Sequence, residues 1–289
     1  MTTLLIGANG QLGRELRQAF ADWDVVALTH ADLEVTDRVQ VRKTLYAYRP
    51  GLVLNTAAYH RVDECEDFPE RAFAVNALAV KDLAIVAKEI GAVLVHFSTD
   101  YVFDGRLRRP YTEDDLPCPL SVYGVSKLAG ERFIRAIYDR HFVIRTSGLY
   151  GVAGSSGKGG NFIETMLRLA GEGREIKVVA DQVLTPTSAK ELARKLRQVV
   201  ETDAYGIYHI TNNGACSWHQ FAAAVFELFG IRPSLSETTS AAYGARAIRP
   251  AYSVLDNQNL RRLGLDDLRD WRDALQEYLD DRQPVRAHQ

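Results

Sequence analysis

The sequence predicts an α/β fold: a doubly wound parallel sheet followed by a smaller C-terminal α/β lobe. Three observations carry this. In the first half, short apolar runs alternate with amphipathic stretches whose apolar residues recur at three-and-four spacing. The apolar runs are continuous rather than alternating, as in strands buried on both faces, and right-handed crossover helices supply the two covers. After Tyr150-Gly151 the regular alternation stops, which divides the chain into a sheet domain over 1–150 and a mainly substrate-binding lobe over 151–289.

Taken in order, strands are expected at 3–6, 25–28, 52–55, 93–97 and 142–145, each short, apolar and bounded by polar or turn residues. Helices are expected between them at 11–20, 37–48, 70–90 and 122–137. The second half reads as helices at 161–170, 189–201 and 218–229, strands at 176–179 and 207–210, and a last helix at 268–279. The helix near 188–201 is expected to return to the first domain. No repeat, low-complexity tract or linker separates the two parts.

Bulk properties exclude several classes. The chain has 289 residues, long enough for a substantial core, with 46% hydrophobic and 25% charged residues. A formal net charge of -2 gives no basic field for nucleic acid. No apolar run reaches the ~20 residues that span a bilayer, and residues 1–6 lack the charged start and long apolar core of a signal peptide. The protein is read as cytoplasmic. Cys65, Cys118 and Cys216 are too few and too scattered for a disulfide framework or a Cys-rich zinc site. There is no His-Glu-x-x-His helix and no Gly-x-Ser-x-Gly elbow. Residues 154–160, Gly-Ser-Ser-Gly-Lys-Gly-Gly, only superficially resemble a P-loop, because Val152 and Gly159 replace its first Gly and its hydroxyl residue. They read as a flexible loop.

Two motifs carry chemistry. Gly7-x-x-Gly10-x-x-Gly13 follows the first strand and opens the first helix. Glycines there permit a tight turn and close approach of a pyrophosphate to the free N–H groups of a helix start, so the fold reads as dinucleotide-binding and Rossmann-like. Tyr123 and Lys127 stand four apart on a helix, which places phenol and ammonium side by side. A free phenol titrates at about 10, and lowering it by about three units takes about 4 kcal/mol, which a fixed cation helps to supply. Thr99 and Asp100 sit at the carboxyl end of the fourth strand, where parallel sheets bind ligands.

These residues occur with Asn55-Thr56-Ala57-Ala58, Ser98-Thr99-Asp100-Tyr101-Val102-Phe103, Arg145-Thr146-Ser147 before Tyr150-Gly151, Asn161-Phe162, and Val178-Val179-Ala180-Asp181-Gln182 with Pro186-Thr187. The set resembles the extended short-chain dehydrogenase/reductase superfamily and, within it, the dTDP-4-dehydrorhamnose reductases. The similarity runs in order from about Leu4 to at least Trp218.

The resemblance implies transfer of a hydride from NADPH, with NADH also accepted, to the C4 ketone of a dTDP-linked 4-keto-6-deoxy sugar, giving dTDP-L-rhamnose for polysaccharide biosynthesis. It implies that Tyr123 protonates the nascent alkoxide, that Lys127 holds the nicotinamide ribose and lowers the Tyr123 pKa, and that Thr99 bonds the reacting oxygen. Thr99, Asp100 and Tyr123 would then contact the substrate. Gly7, Gly10, Gln11, Leu12 and Gly13 would line the pyrophosphate, and Asp32 and Leu33 would flank the adenine. Ala57, Ala58, Tyr59, His60 and Phe97 would lie along the nicotinamide channel.

Two residues depart from the pattern implied. Gly148 follows Arg-Thr-Ser where some members carry a Trp that packs on the sugar, and Leu184 stands where Gly is frequent. They leave room for a reductase of another dTDP-4-keto-6-deoxy sugar. The second strand ends Ala27-Leu28-Thr29-His30, with no carboxylate to repel a 2′-phosphate, which favours NADPH. Resemblance to some members also admits Mg2+ at a homodimer contact, through Glu15, Glu191 and the acids within 277–281; no metal is predicted. Asp63, Glu64 and Glu66 read as a solvated helix entrance. Rival readings are an epimerase or 4,6-dehydratase, disfavoured because Thr99 is followed by Asp-Tyr rather than Asp-Glu, and a non-catalytic regulatory subunit like that of methionine adenosyltransferase, disfavoured by the complete Thr99, Tyr123 and Lys127 set.

Overall fold

A computed structural model describes residues 2–152 and 160–282. The chain runs β1 (Thr2–Ile6), α1 (Gln11–Ala19), β2 (Asp24–Leu28), α2 (Arg38–Tyr48), β3 (Leu52–Asn55), α3 (Val62–Asp67), α4 (Pro69–Phe73), a π-helical turn (Ala74–Leu78), α5 (Ala79–Ile90) and β4 (Val93–Thr99). A 3-10 turn (Asp100–Val102) leads toward α6 (Val122–Ile137), β5 (His141–Thr146) and β6 (Leu149–Tyr150). The second half holds α7 (Phe162–Gly171), β7 (Ile176–Val179), β8 (Val183–Leu184), β9 (Thr187–Ser188), α8 (Ala189–Val200), β10 (Gly206–His209), β11 (Cys216–Ser217), α9 (Trp218–Leu228), β12 (Leu235–Thr238), α10 (Ser240–Tyr243), α11 (Gln258–Arg262) and α12 (Trp271–Arg282). Except for Gly160, the glycine-rich loop 154–160 lies outside the described residues.

Six strands form one parallel sheet in the order β10-β5-β4-β3-β1-β2. The order in which successive strands are added reverses at β1, so the carboxyl ends of β1 and β3 open a crevice of the kind that receives ligands in such sheets. Successive strand residues go to opposite faces. Leu5, Val95 and Phe97 pack with Leu12 and Leu16 of α1 and Leu192 and Leu196 of α8. Leu4, Ile6 and Leu94 pack with Val41, Leu83 and Ile134 from α2, α5 and α6.

This layer draws on residues well beyond 150. Helix α8 packs on α1, β10 extends the sheet beside β5, and Leu260 and Leu268 complete the α1 face. A separate core forms around Phe221, Trp271 and Tyr278 with Ile163, Ile176 and Tyr150. The helix expected over 70–90 is broken, because at Asn76 the ladder loosens into the π-helical turn while the buried side chain bonds sideways to Tyr59 and Ser126.

Helix α6 lies unusually deep. A side chain on Gly124 would collide with the Tyr101 carbonyl, and one on Gly130 with the Asn76 carbonyl. Its buried Glu131 accepts two bonds from Arg145 of β5, at 3.0 and 2.7 Å, and both residues are almost fully enclosed. Removing one member strands the other charge, so Glu131→Ala is expected to lower unfolding free energy by about 3–5 kcal/mol. Denaturant titration checks this, and the paired change Glu131→Ala with Arg145→Met should recover much of the loss.

Candidate active site

The α1 end of the crevice is built to approach an anion. Gly10 caps α1 without any side-chain bond, so the N–H groups of the first turn, from Gln11 through Gly13, face outward at the positive end of the helix. Gly7 has φ +81, and a side chain there would meet Thr56, while one on Gly13 would strike the Gly7 carbonyl. Loop, helix and β3 end thus close on one another with no room for a Cβ. Gln11 Nε2 donates to the Leu149 carbonyl at 2.9 Å, and its Oε1 is buried without a partner. Ser98 Oγ and Thr146 Oγ1, at the ends of β4 and β5, are also buried and unbonded. A helix start free to donate and a loop whose glycines leave no room for a Cβ at Gly7 and Gly13 fit a nucleotide diphosphate.

At the end of β2 the structure corrects the sequence reading. Asp32 folds back so that its carboxylate accepts the Thr29 N–H at 2.8 Å and the Thr29 hydroxyl at 2.7 Å, and these bonds hold it below its ordinary pKa. A carboxylate therefore does stand at this strand end, brought there by a turn rather than by strand position. Leu33 is buried beside it in the α2 face of the core.

The β3 exit carries Ala57, Ala58, Tyr59 and His60. Asn76 holds this segment by a reciprocal pair, accepting from the Tyr59 N–H at 2.8 Å and donating to the Tyr59 carbonyl at 3.0 Å, while also donating to Ser126 of α6. Asp63 and Glu64 stand half-exposed in the first turn of α3, with Glu66 one turn on, as a solvated helix entrance, and each also holds a partner. Asp63 pairs with Arg249 at 2.8 Å, Glu64 accepts the Tyr59 hydroxyl at 2.9 Å, and Glu66 accepts the Val122 N–H at the start of α6 at 2.9 Å. Asp63 and Glu66 reach partners distant in sequence, which local charge patterning does not show, whereas Glu64 stays local with Tyr59 and Arg61.

Thr99, Asp100 and Tyr123 come together. The Thr99 hydroxyl donates to Asp100 Oδ1 at 3.0 Å and accepts the Tyr101 N–H at 3.1 Å, and the Tyr123 phenol stands beside it. Asp100 also accepts from Ser147 at 2.8 Å and from Ser253 at 2.5 Å. Its carboxylate is buried and faces these hydroxyls; burial pushes its pKa up to about 6, with the three hydroxyl bonds opposing. The Tyr123 ring meets the Tyr101 ring edge to face at 6.1 Å.

Lys127 is almost fully buried on the turn after Tyr123, and burial lowers its pKa to about 8 against the opposing charge of Glu131. Its Nζ lies 3.2 Å from His96 Nε2. Desolvation first, and then the Asp100 charge, push the phenol above its ordinary value, while the Lys127 amine lies against His96. Phe97 is buried on the opposite face of β4 from His96, among the α1 and α8 residues.

Comparison with known proteins fits this geometry. The family model described as the RmlD substrate binding domain matches residues 1–283. The chain belongs to this family, that of the dTDP-4-dehydrorhamnose reductases. It is 41% identical to the spore coat polysaccharide biosynthesis protein SpsK of Bacillus subtilis (strain 168), covering 98% of each chain. It is also 41% identical to the dTDP-4-dehydrorhamnose reductase of Streptomyces griseus, over 95% of this chain and 91% of that one. The solved dTDP-4-dehydrorhamnose reductase of Bacillus anthracis str. Ames, in complex with NADP, superposes with a TM-score of 0.92 at 35% identity, covering 97% of this chain and 99% of that one.

Two further family comparisons gain geometry. Gly148 (φ +53) and Leu184 touch, since a Cβ on Gly148 would lie 2.7 Å from Leu184 Cδ1. The two departures are therefore one packing arrangement. Of the acids considered for magnesium, Glu277 and Asp281 hold the Lys190 ammonium at 2.7 and 2.5 Å, and Glu191 bonds Asn212 and Arg269. Among the described residues no helix is long and apolar enough to cross a membrane.

Asp100 gives a pH signature. Its folded pKa of about 6 exceeds the ordinary 3.8, so its contribution to stability is complete below about 3.8 and is lost as pH rises through 6. Asp100→Asn should remove that slope: relative to wild type, the variant is expected to gain about 3 kcal/mol between pH 3.5 and 6.5. Unfolding curves at stepped pH read this directly; parallel curves for the two proteins would contradict it.

Proposed function

We propose that this protein is an oxidoreductase that reduces the C4 ketone of dTDP-4-dehydrorhamnose to dTDP-L-rhamnose, using NADPH or NADH. The observation that carries the reading is the placement of Tyr123 beside Thr99 and Asp100 at the carboxyl end of β4, with Lys127 buried one turn further along α6, in a fold whose α1 start is uncapped and shaped for a diphosphate. Family membership and the NADP complex of the Bacillus anthracis relative support it.

The nucleotide would lie with its diphosphate against Gly10, Gln11 and Leu12, between Gly7 and Gly13. Its adenosine would lie toward Asp32 and Leu33. Asp32 suits a ribose 2′-hydroxyl, so NADH stands beside NADPH as a cofactor of this chain. Ala57, Ala58 and Tyr59, fixed through Asn76, and Phe97 on the channel wall would flank the nicotinamide. When bound, the reduced nicotinamide supplies the hydride.

The chain itself supplies the proton and the charge control. Tyr123 is held un-ionised at neutral pH by its enclosure and by Asp100, which is the form a proton donor to a developing alkoxide requires. Thr99 stands beside the Tyr123 phenol and, by turning its own proton from Asp100 toward the sugar, would donate to the same alkoxide. Asp100 takes no proton from substrate; it orients Thr99, with Ser147 and Ser253 holding it in turn. Lys127 would donate to the nicotinamide ribose, and its positive charge offsets the phenolate left after transfer.

The packing of Gly148 against Leu184 favours a second reading at the level of the sugar: a related dTDP-4-keto-6-deoxy sugar with different demands at that wall. Both readings share the chemistry. Purified protein mixed with NADPH and enzymatically generated dTDP-4-dehydrorhamnose should consume the nicotinamide absorbance and yield dTDP-L-rhamnose by NMR. Binding of NADPH without oxidation would exclude this sugar.

Tyr123→Phe is expected to lower kcat by at least about 1,000-fold while changing the NADPH Kd less than about threefold, since only a donated proton is lost. Lys127→Ala should damage both constants. Stopped-flow turnover and fluorescence titration of the nucleotide separate the two effects.

A further inference from the structure

Behind Lys127 lies a polar chain that the proposed chemistry does not use. Asn55, His96 and Lys127 are all buried, on β3, β4 and α6. Asn55 Nδ2 lies 3.2 Å from His96 Nδ1, and His96 Nε2 lies 3.2 Å from Lys127 Nζ. Asn55 Oδ1 accepts the Ala57 N–H at 3.2 Å. We infer that His96 is a positioning residue for Lys127, and that the Asn55–His96–Lys127 chain sets the direction and the proton count of the amine. This rests on the reading of Lys127 as the cation of the reductase site.

Each donor along this chain needs an acceptor. Burial keeps His96 neutral, so one ring nitrogen donates and the other accepts. With Asn55 Nδ2 donating to Nδ1, the ring proton sits on Nε2 and points at Lys127, which matches an uncharged amine. With Lys127 charged, Nε2 must accept, Nδ1 carries the proton, and Asn55 has to turn its Oδ1 toward the ring. That turn takes the acceptor away from the Ala57 N–H, on the segment assigned to the nicotinamide channel. Each protonation state of Lys127 therefore has its own hydrogen-bond arrangement, and the two differ at Ala57. A Lys127 pKa near 8 makes both states accessible close to neutral pH.

The other ionisable groups around Lys127 are few. On α6 itself are Tyr123 and Glu131, the latter paired with Arg145 of β5. Asp100 and Tyr101 follow β4, and Cys65 and Glu66 come from α3, with Glu66 bonded at the α6 start. Arg71 of α4 lies over Tyr59, and Lys81 of α5 over Phe133. Among the described residues, the ionisable group within hydrogen-bond distance of the Lys127 amine is His96.

The test is the titration of Lys127 in protein without added nucleotide, followed by NMR of labelled lysine and assigned with Lys127→Arg. Asn55→Asp locks the proton on Nδ1 and makes Nε2 an acceptor, so the midpoint should rise by about one pH unit. His96→Phe leaves the ammonium without its acceptor, so the midpoint should fall by a similar amount. His96→Gln, which offers an amide oxygen, should return it close to wild type. Shifts of the same sign in Asn55→Asp and His96→Phe, or no shift, would overturn the inference; if His96→Phe fails to fold, Asn55→Asp and His96→Gln decide it. The alkaline limb of kcat/KM should follow these midpoints. If the midpoints move and that limb does not, the chain stands and the proposed role of Lys127 in turnover falls.

Discussion

The site depends on how close α6 comes to the sheet. Tyr123, Lys127 and Glu131 recur every fourth residue and form one stripe facing β4 and β5. The helix reaches that depth because Gly124 and Gly130 let it rest on the backbone carbonyls of Tyr101 and Asn76. Polar groups carried to such depth cost desolvation unless each finds a partner. Glu131 finds Arg145, Lys127 finds His96, and Tyr123 finds Thr99. Moving the helix outward by the width of a methyl group would separate these pairs together.

Around that stripe, the strand ends are held by side chains from far along the chain. Asn76 ties the β3 exit to α6 from the π-helical turn. Asp100 ties β4 to Ser147 beyond β5 and to Ser253, which enters from the segment after α10. Asp63 takes Arg249 from that same segment. The segment after α10 is thus bonded directly to Asp100, the neighbour of Thr99, and to α3, so C-terminal residues help to hold the proton machinery in place.

Much of this was legible in the sequence because it rests on local periodicity. The first five strands and α6 were read within a residue or two at each boundary, since apolar runs and three-and-four spacing are short-range signals. The glycine loop and the Tyr123/Lys127 pair were legible for the same reason. What escaped depends on tertiary partners. The helix break at Asn76 answers to Tyr59 and Ser126, and Asp32 reaches the end of β2 only through a turn. The function of His96 appears only when α6 is laid on β4. Two faint signals were present: a histidine interrupting the apolar run of β4, and Glu131 continuing the four-residue spacing of Tyr123 and Lys127.

The most direct measurement is a crystal structure of the ternary complex with NADP+ and dTDP-L-rhamnose. The account predicts the sugar O4 within hydrogen-bond distance of both Tyr123 Oη and Thr99 Oγ1, with Lys127 Nζ on the nicotinamide ribose and Asp100 still bound by Ser147 and Ser253. A sugar whose C4 lies away from Tyr123, or a nicotinamide ribose that Lys127 does not touch, would contradict it.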